Sequence, residues 1–159
     1  MNLKNISLLL LLLIGFNPVL AAIEAPVKPV EQKAIKPTFI NVKPLELVNN
    51  PTKYLNQKVL IDGKFDKFTT LGLDYKKAYK DSSVFIGFLL QRDDVKNHNI
   101  PLSELKLFVK RDYAEKFIDL NTGDKISLSG TVFSNALGDA WVNIETIEVL
   151  EKAPKTNQK

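Results

Sequence analysis

The residues best placed to do chemistry are an aromatic ring between two cations. In Leu105-Lys106-Leu107-Phe108-Val109-Lys110, strict alternation puts Lys106, Phe108 and Lys110 on one side of a strand and Leu105, Leu107 and Val109 on the other. A ring flanked by ammonium groups can stack a base and attract its phosphate, with stacking worth ~1–3 kcal/mol per base. The apolar run Val84 to Leu90 supplies a neighbour. If Val84, Ile86, Phe88 and Leu90 face a core, Phe85 and Gly87 face outward beside Phe108. A second set lies in the connection 69–82, where Lys76, Lys77 and Lys80 interleave with Tyr75 and Tyr79. Such a loop suits an anionic glycan, a nucleic acid or an acidic protein surface. The competing reading is structural: the segment 39–55 covers Phe85 and Phe108, the tyrosines pack on the domain's rim, and the lysines are solvated.

Residue types that carry catalysis are scarce. There is no cysteine, which removes disulfides, thiolate metal sites and thiol nucleophiles together. His98 is the one histidine and sits in the polar run Asn97-His98-Asn99, where it reads as a solvated side chain. No G-x-S-x-G elbow, glycine-rich phosphate loop or EF-hand spacing occurs around Asp62, Asp66 and Asp74. The expectation is a binding protein with no cofactor, no metal and no enzymatic activity. A formal charge of +4 over 159 residues selects no partner class.

The candidate residues must be positioned by strands. Lys58 to Lys67 places Val59, Ile61 and Phe65 on one face, with Gly63 among them as the mark of a bulge or bend. Val84–Leu90 and Leu105–Lys110 are the second and third strands. Asp112 to Leu120 reads as a helix, with Asp112 as cap, Glu115 three residues on, and Tyr113, Phe117 and Leu120 as its apolar stripe. Asn121 and Gly123 end it. Asp124 to Phe133 is the fourth strand, with Gly130 inside it. Trp141 to Leu150 is the fifth; its apolar register slips between Ile144 and Ile147, which predicts a bulge. Trp141 itself reads as a packing residue. Ahead of the strands, Leu45, Leu47, Val48, Tyr54 and Leu55 predict a short helix or turn packed on the sheet.

Five strands with a short helix between the third and fourth is the layout of an OB-fold barrel, an all-β class. The run Asn50-Pro51, Tyr54-Leu55 and Val59-Leu60-Ile61-Asp62-Gly63, with Gly123-Asp124-Lys125-Ile126 and Gly130-Thr131-Val132, resembles the small exported bacterial OB-fold proteins over about residues 45–150. The resemblance implies a binding or accessory role rather than catalysis. Two functional expectations follow. The domain holds an extended polymer (glycan or nucleic acid) or peptide across the face carrying Phe85, Lys106, Phe108 and Lys110, helped by Tyr75, Lys76, Lys77 and Lys80. Alternatively it is a cell-envelope accessory protein that docks a partner protein.

The flanks set the expected organisation. Residues 1–22 combine Lys4, an apolar run from Ile6 to Phe16 and the small residues Ala21 and Ala22, the three-part pattern of a signal peptide. That run is shorter than the ~20 residues a membrane span needs, so no span is expected after cleavage. Residues 23–43 alternate Pro26, Pro29 and Pro37 with lysines and read as a semi-stiff linker. The domain is expected over 44–151, with a frayed polar tail at 152–159. The expected product is an exported monomer, periplasmic or secreted.

Overall fold

A computed structural model describes residues 38–96 and 99–154. The expected leader, the expected linker up to residue 37, His98 and the tail from 155 onward lie outside the described residues.

The described chain runs β1 (Ile40–Asn41), α1 (Pro44–Asn49), β2 (Lys58–Thr69), β3 (Phe85–Leu90), β4 (Leu105–Lys110), α2 (Arg111–Ala114), β5 (Lys125–Ser134) and β6 (Ala140–Glu151). Short 3-10 turns follow α1 and α2 and punctuate the loops. β2 pairs antiparallel with β3, β3 with β4, and β5 with β6; β4 and β6 run parallel. The first half of β2 also pairs antiparallel with β5, which closes the ring β2-β3-β4-β6-β5. A closed five-stranded barrel with a short helix between its third and fourth strands is an OB-fold.

Alternation explains the interior. Val59, Ile61, Phe65, Phe88, Leu90, Leu105, Leu107, Val109, Ile126, Leu128, Val142 and Ile144 are buried in one core. Tyr113, Phe117 and Leu120 pack against it from α2 and the turn that follows, along the expected stripe. Gly63 faces this core because a Cβ there would lie 2.8 Å from Leu90 Cδ1. Pairing with β5 runs unbroken through Gly63, and the irregularity of β2 comes later, between Phe65 and Lys67. The bulge therefore sits at Asp66, where β2 has left β5 and joined β3. On β6 the bulge falls at Glu145, between Ile144 opposite Gly130 and Thr146 opposite Ser129. Gly130 is obligatory there, since any Cβ would collide with the Asn143 carbonyl.

Two local expectations are corrected. Ile40 and Asn41, placed in the linker by the proline spacing, add a parallel strand beside Val59 and Leu60, and Val42 is buried in the core. Helix α2 starts at Arg111 with Lys110 at the cap position, and Asp112 lies inside the first turn, where it accepts the Tyr113 N–H at 2.8 Å. β4 runs straight into this helix. The Arg111 N–H donates to the Val84 carbonyl at 2.9 Å, so a neighbouring strand end satisfies a donor that a capping side chain would otherwise serve.

Candidate functional site

The outer face of β3 and β4 is not free. Phe108 points outward as alternation requires, yet it is only 1% exposed. Its cover is the loop 70–84 rather than the segment 39–55, whose Val42, Leu47 and Tyr54 enter the barrel core instead. Leu73 and Ala78 come down from the loop to join Phe108 and Trp141 in a second buried cluster, with Tyr75, Phe85, Phe133 and Ala136 around it. The rings form a stack: Tyr75 on Trp141 at 5.5 Å and 25°, and Trp141 on Phe108 at 5.8 Å and 14°. Trp141 donates its indole N–H to the Ala136 carbonyl at 2.7 Å, which satisfies its one polar atom and makes it the packing residue expected. Gly72 permits the approach. It holds φ +83°, and a Cβ would stand 3.2 Å from Trp141 Cζ3.

The stacking platform expected from Phe108 is therefore occupied from within. A long loop carrying three apolar or aromatic residues can fold back on an apolar face, and burying them repays its ordering. Phe85 is half-buried, and Lys80 Nζ lies 4.7 Å from its ring centre. Lys106 is also tied down: its Nζ stands 3.3 Å from Asp139 Oδ2 and donates to the Ser103 carbonyl.

Lys80 is the least ordinary of the cations. Its Nζ sits 4.3 Å from the Phe133 ring centre as well as over Phe85, and donates to Asn143 Oδ1 at 3.2 Å. No carboxylate pairs with it among the described residues. Burial pushes its pKa below the usual lysine value. Asn143 also lines a cleft of about 480 Å³ between β4, α2 and β6, whose walls include Lys110, Tyr113, Lys116 and Glu145. This cleft opens where the parallel pairing of β4 with β6 ends, at Phe108 opposite Asn143. Glu145 is partly neutralised there, since it accepts from Thr131 Oγ1 at 3.0 Å and faces Lys58 at 3.5 Å. Asp112 also lines the cleft, so its walls carry two lysines and two carboxylates.

No protein-family model and no curated protein matches the sequence. Solved structures do resemble the fold. One is the asparaginyl-tRNA synthetase from Pyrococcus horikoshii complexed with asparaginyl-adenylate, at TM-score 0.48 and 16% identity over 76% of this chain and 24% of that one. A second is the OBody AM2EP06 bound to hen egg-white lysozyme, at 0.47 and 13% over 76% of this chain and 100% of that one. A third is a mitochondrial single-stranded DNA binding protein from S. cerevisiae, at 0.39 and 10% over 61% of this chain and 96% of that one. The chain spans about a quarter of the length of the synthetase.

The structure thus brings Lys80 and Lys110 to neighbouring positions, since Phe85 beneath Lys80 lies directly opposite Lys110. It leaves Lys76 and Lys77 exposed on the loop's 3-10 turn, buries Phe108, and leaves Lys106 half-buried and paired with Asp139. Sequence reading missed Lys116, Tyr113 and Asn143 as parts of a cleft. Lys116 was legible as the polar side of the predicted helix. Asn143 was not, because its place opposite Phe108 depends on a parallel pairing of strands far apart in sequence. Among the described residues no three histidine, cysteine or acidic side chains stand close enough to hold a metal ion.

Proposed function

We propose that this is an exported, non-enzymatic binding module that holds an extended anionic partner in the cleft of Lys110, Lys116 and Asn143, with Lys80, Lys76 and Lys77 continuing the basic strip onto loop 70–84. The observation that carries the reading is the distribution of ion pairs. Lys53, Lys58, Lys106, Lys125, Lys152 and Arg92 each face a carboxylate within 4.0 Å; the lysines of the strip have no such partner among the described residues, nor do Lys43, Lys64, Lys67, Lys96 and Arg111, and the strip is set apart by its place along the cleft. Unpaired ammonium groups beside a cleft attract phosphate, sulfate or carboxylate groups. OB-folds commonly bind through the face of their second and third strands and the adjoining loops, and the strip borders that region. The leader sequence supports export.

The test is binding of the chain from residue 23 onward to single-stranded oligonucleotide and to an anionic glycan, each at low and physiological salt. The expected result is one polymer that binds with a steep salt dependence and is lost in Lys110→Ala/Lys116→Ala. Indifference of binding to both substitutions would remove the cleft from the account.

A second reading, an envelope accessory protein docking a partner protein, draws on the filled outer face. With Phe108 and Trp141 covered, no buried ring of that cluster is offered to a base.

A further inference from the structure

The turn between β5 and β6 is built against its own sequence. Ala136-Leu137-Gly138-Asp139 closes through the Asp139 N–H donating to the Ala136 carbonyl at 3.1 Å. Leu137 holds φ 62° and ψ 10°, and Gly138 holds φ 79°. Two successive left-handed residues make a type I′ turn, whose first central position belongs to asparagine, aspartate or glycine. A leucine there is strained, and packing does not repay it, since Leu137 is 72% exposed.

A second exposed leucine stands nearby. Leu71, 62% exposed, precedes Gly72, where a Cβ would stand 3.2 Å from Cζ3 on the six-membered edge of Trp141, while the Ala136 carbonyl accepts the indole N–H from the other edge. One indole thus braces the backbone beside both leucines. Loop 70–84 adds Tyr79, 60% exposed, and the exposed Lys76 and Lys77. Asp74 offsets one of those charges, and Asp139 is spent on Lys106.

We propose that this end of the barrel docks on an anionic lipid surface. Leu71 and Leu137 enter the boundary between headgroups and acyl chains, Tyr79 lies at headgroup level, and Lys76 and Lys77 meet the headgroup phosphates. Leucines on loop tips, with lysines and a tyrosine beside them, have the composition of segments that lie in the membrane interface. The charge matches an anionic leaflet, where a basic residue adds to binding. This proposal shares Lys76 and Lys77 with the basic strip, but its leucines lie outside the residues that line the cleft.

The experiment is co-sedimentation of the chain from residue 23 onward with vesicles of phosphatidylglycerol and phosphatidylethanolamine, against vesicles of phosphatidylcholine alone, with thermal melting of each variant. Wild type should bind the anionic vesicles and not the zwitterionic ones. Leu137→Asn should melt higher, by about 3 °C, because it relieves the turn. It should also bind anionic vesicles about tenfold more weakly, because it removes one buried leucine. Leu71→Ser should lose a similar factor, and Ile118→Ser, at an exposed apolar residue outside loop 70–84 and the β5–β6 turn, should lose none. Absence of wild-type binding to anionic vesicles overturns the proposal, as does wild-type binding by Leu137→Asn.

Discussion

Phe88 and Phe108 sit on adjoining strands of one sheet, on opposite faces, and each is 1% exposed. Their burial has different origins. Phe88 is enclosed by inward-facing residues from strands all around a closed barrel. Phe108 is enclosed by loop 70–84, through Leu73, Tyr75 and Ala78, together with Phe133 and Trp141, the middle ring of the Tyr75-Trp141-Phe108 stack. Equal exposure therefore conceals unequal dependence. The inner ring is as secure as the barrel, and the outer ring is as secure as loop 70–84.

The comparison can be broken by substitution. Phe88→Ala should cost about 3–5 kcal/mol in urea unfolding. Phe108→Ala should cost about 2 kcal/mol, because the loop can settle into the space left behind. Equal losses would mean that the outer cluster is as rigid a core as the inner one. Asp124 offers a third, polar reference point. It is buried at the start of β5, and its carboxylate accepts the Asn121 and Ala153 N–H groups at 2.9 and 2.8 Å and Lys152 Nζ at 2.9 Å. Burial alone would raise its pKa, but the two backbone donors and Lys152 outweigh it and hold the group below the usual carboxylate value. Its contribution to stability is thus complete above the unfolded-state pKa and disappears as pH falls through the lower folded value. Asp124→Asn should cost about 2 kcal/mol at neutral pH and flatten the acid limb of the stability profile.

Smaller effects sharpen the contrast. Trp141 is the only tryptophan, so its emission reports the outer cluster alone. Leu73→Ala should red-shift that emission while far-ultraviolet dichroism of the barrel stays constant, because the loop is a unit of lower local stability. A parallel loss of both signals would merge the two clusters into one cooperative unit. The least effect is expected at Lys80. Its folded pKa lies below its unfolded one, so between the two values the unfolded chain binds more protons and stability rises with pH. Lys80→Met should abolish that alkaline rise, which a pH series of melting curves would show.

The barrel was legible because its strands obey period two. Val59/Ile61, Leu105/Leu107/Val109 and Ile126/Leu128 point inward as written, and the slip at Glu145 was visible as a broken alternation. Alternation also gave the outward direction of Phe108, but direction is not exposure. Whether a face meets water depends on where a long loop lies, and that is set by tertiary contacts such as Gly72 against Trp141. β1 was hidden for a similar reason. Two residues carry no period, and Ile40–Asn41 becomes a strand only because β2 offers it an edge. The cleft was hidden because Lys110, Lys116 and Asn143 come from three elements joined by the one parallel pairing inside the barrel.

That parallel pairing makes β6 the keystone of the fold. β6 joins β4 at residues 105–108 and β5 at residues 125–134, while closure of the ring also waits for β5 to reach back to residues 58–64. The ring therefore cannot close until β6 emerges from the ribosome, and every earlier length of chain has open sheet edges. Contacts so distant in sequence make for slow folding, in milliseconds to seconds rather than microseconds. A nascent chain of this kind stays threadable until β6 has been made.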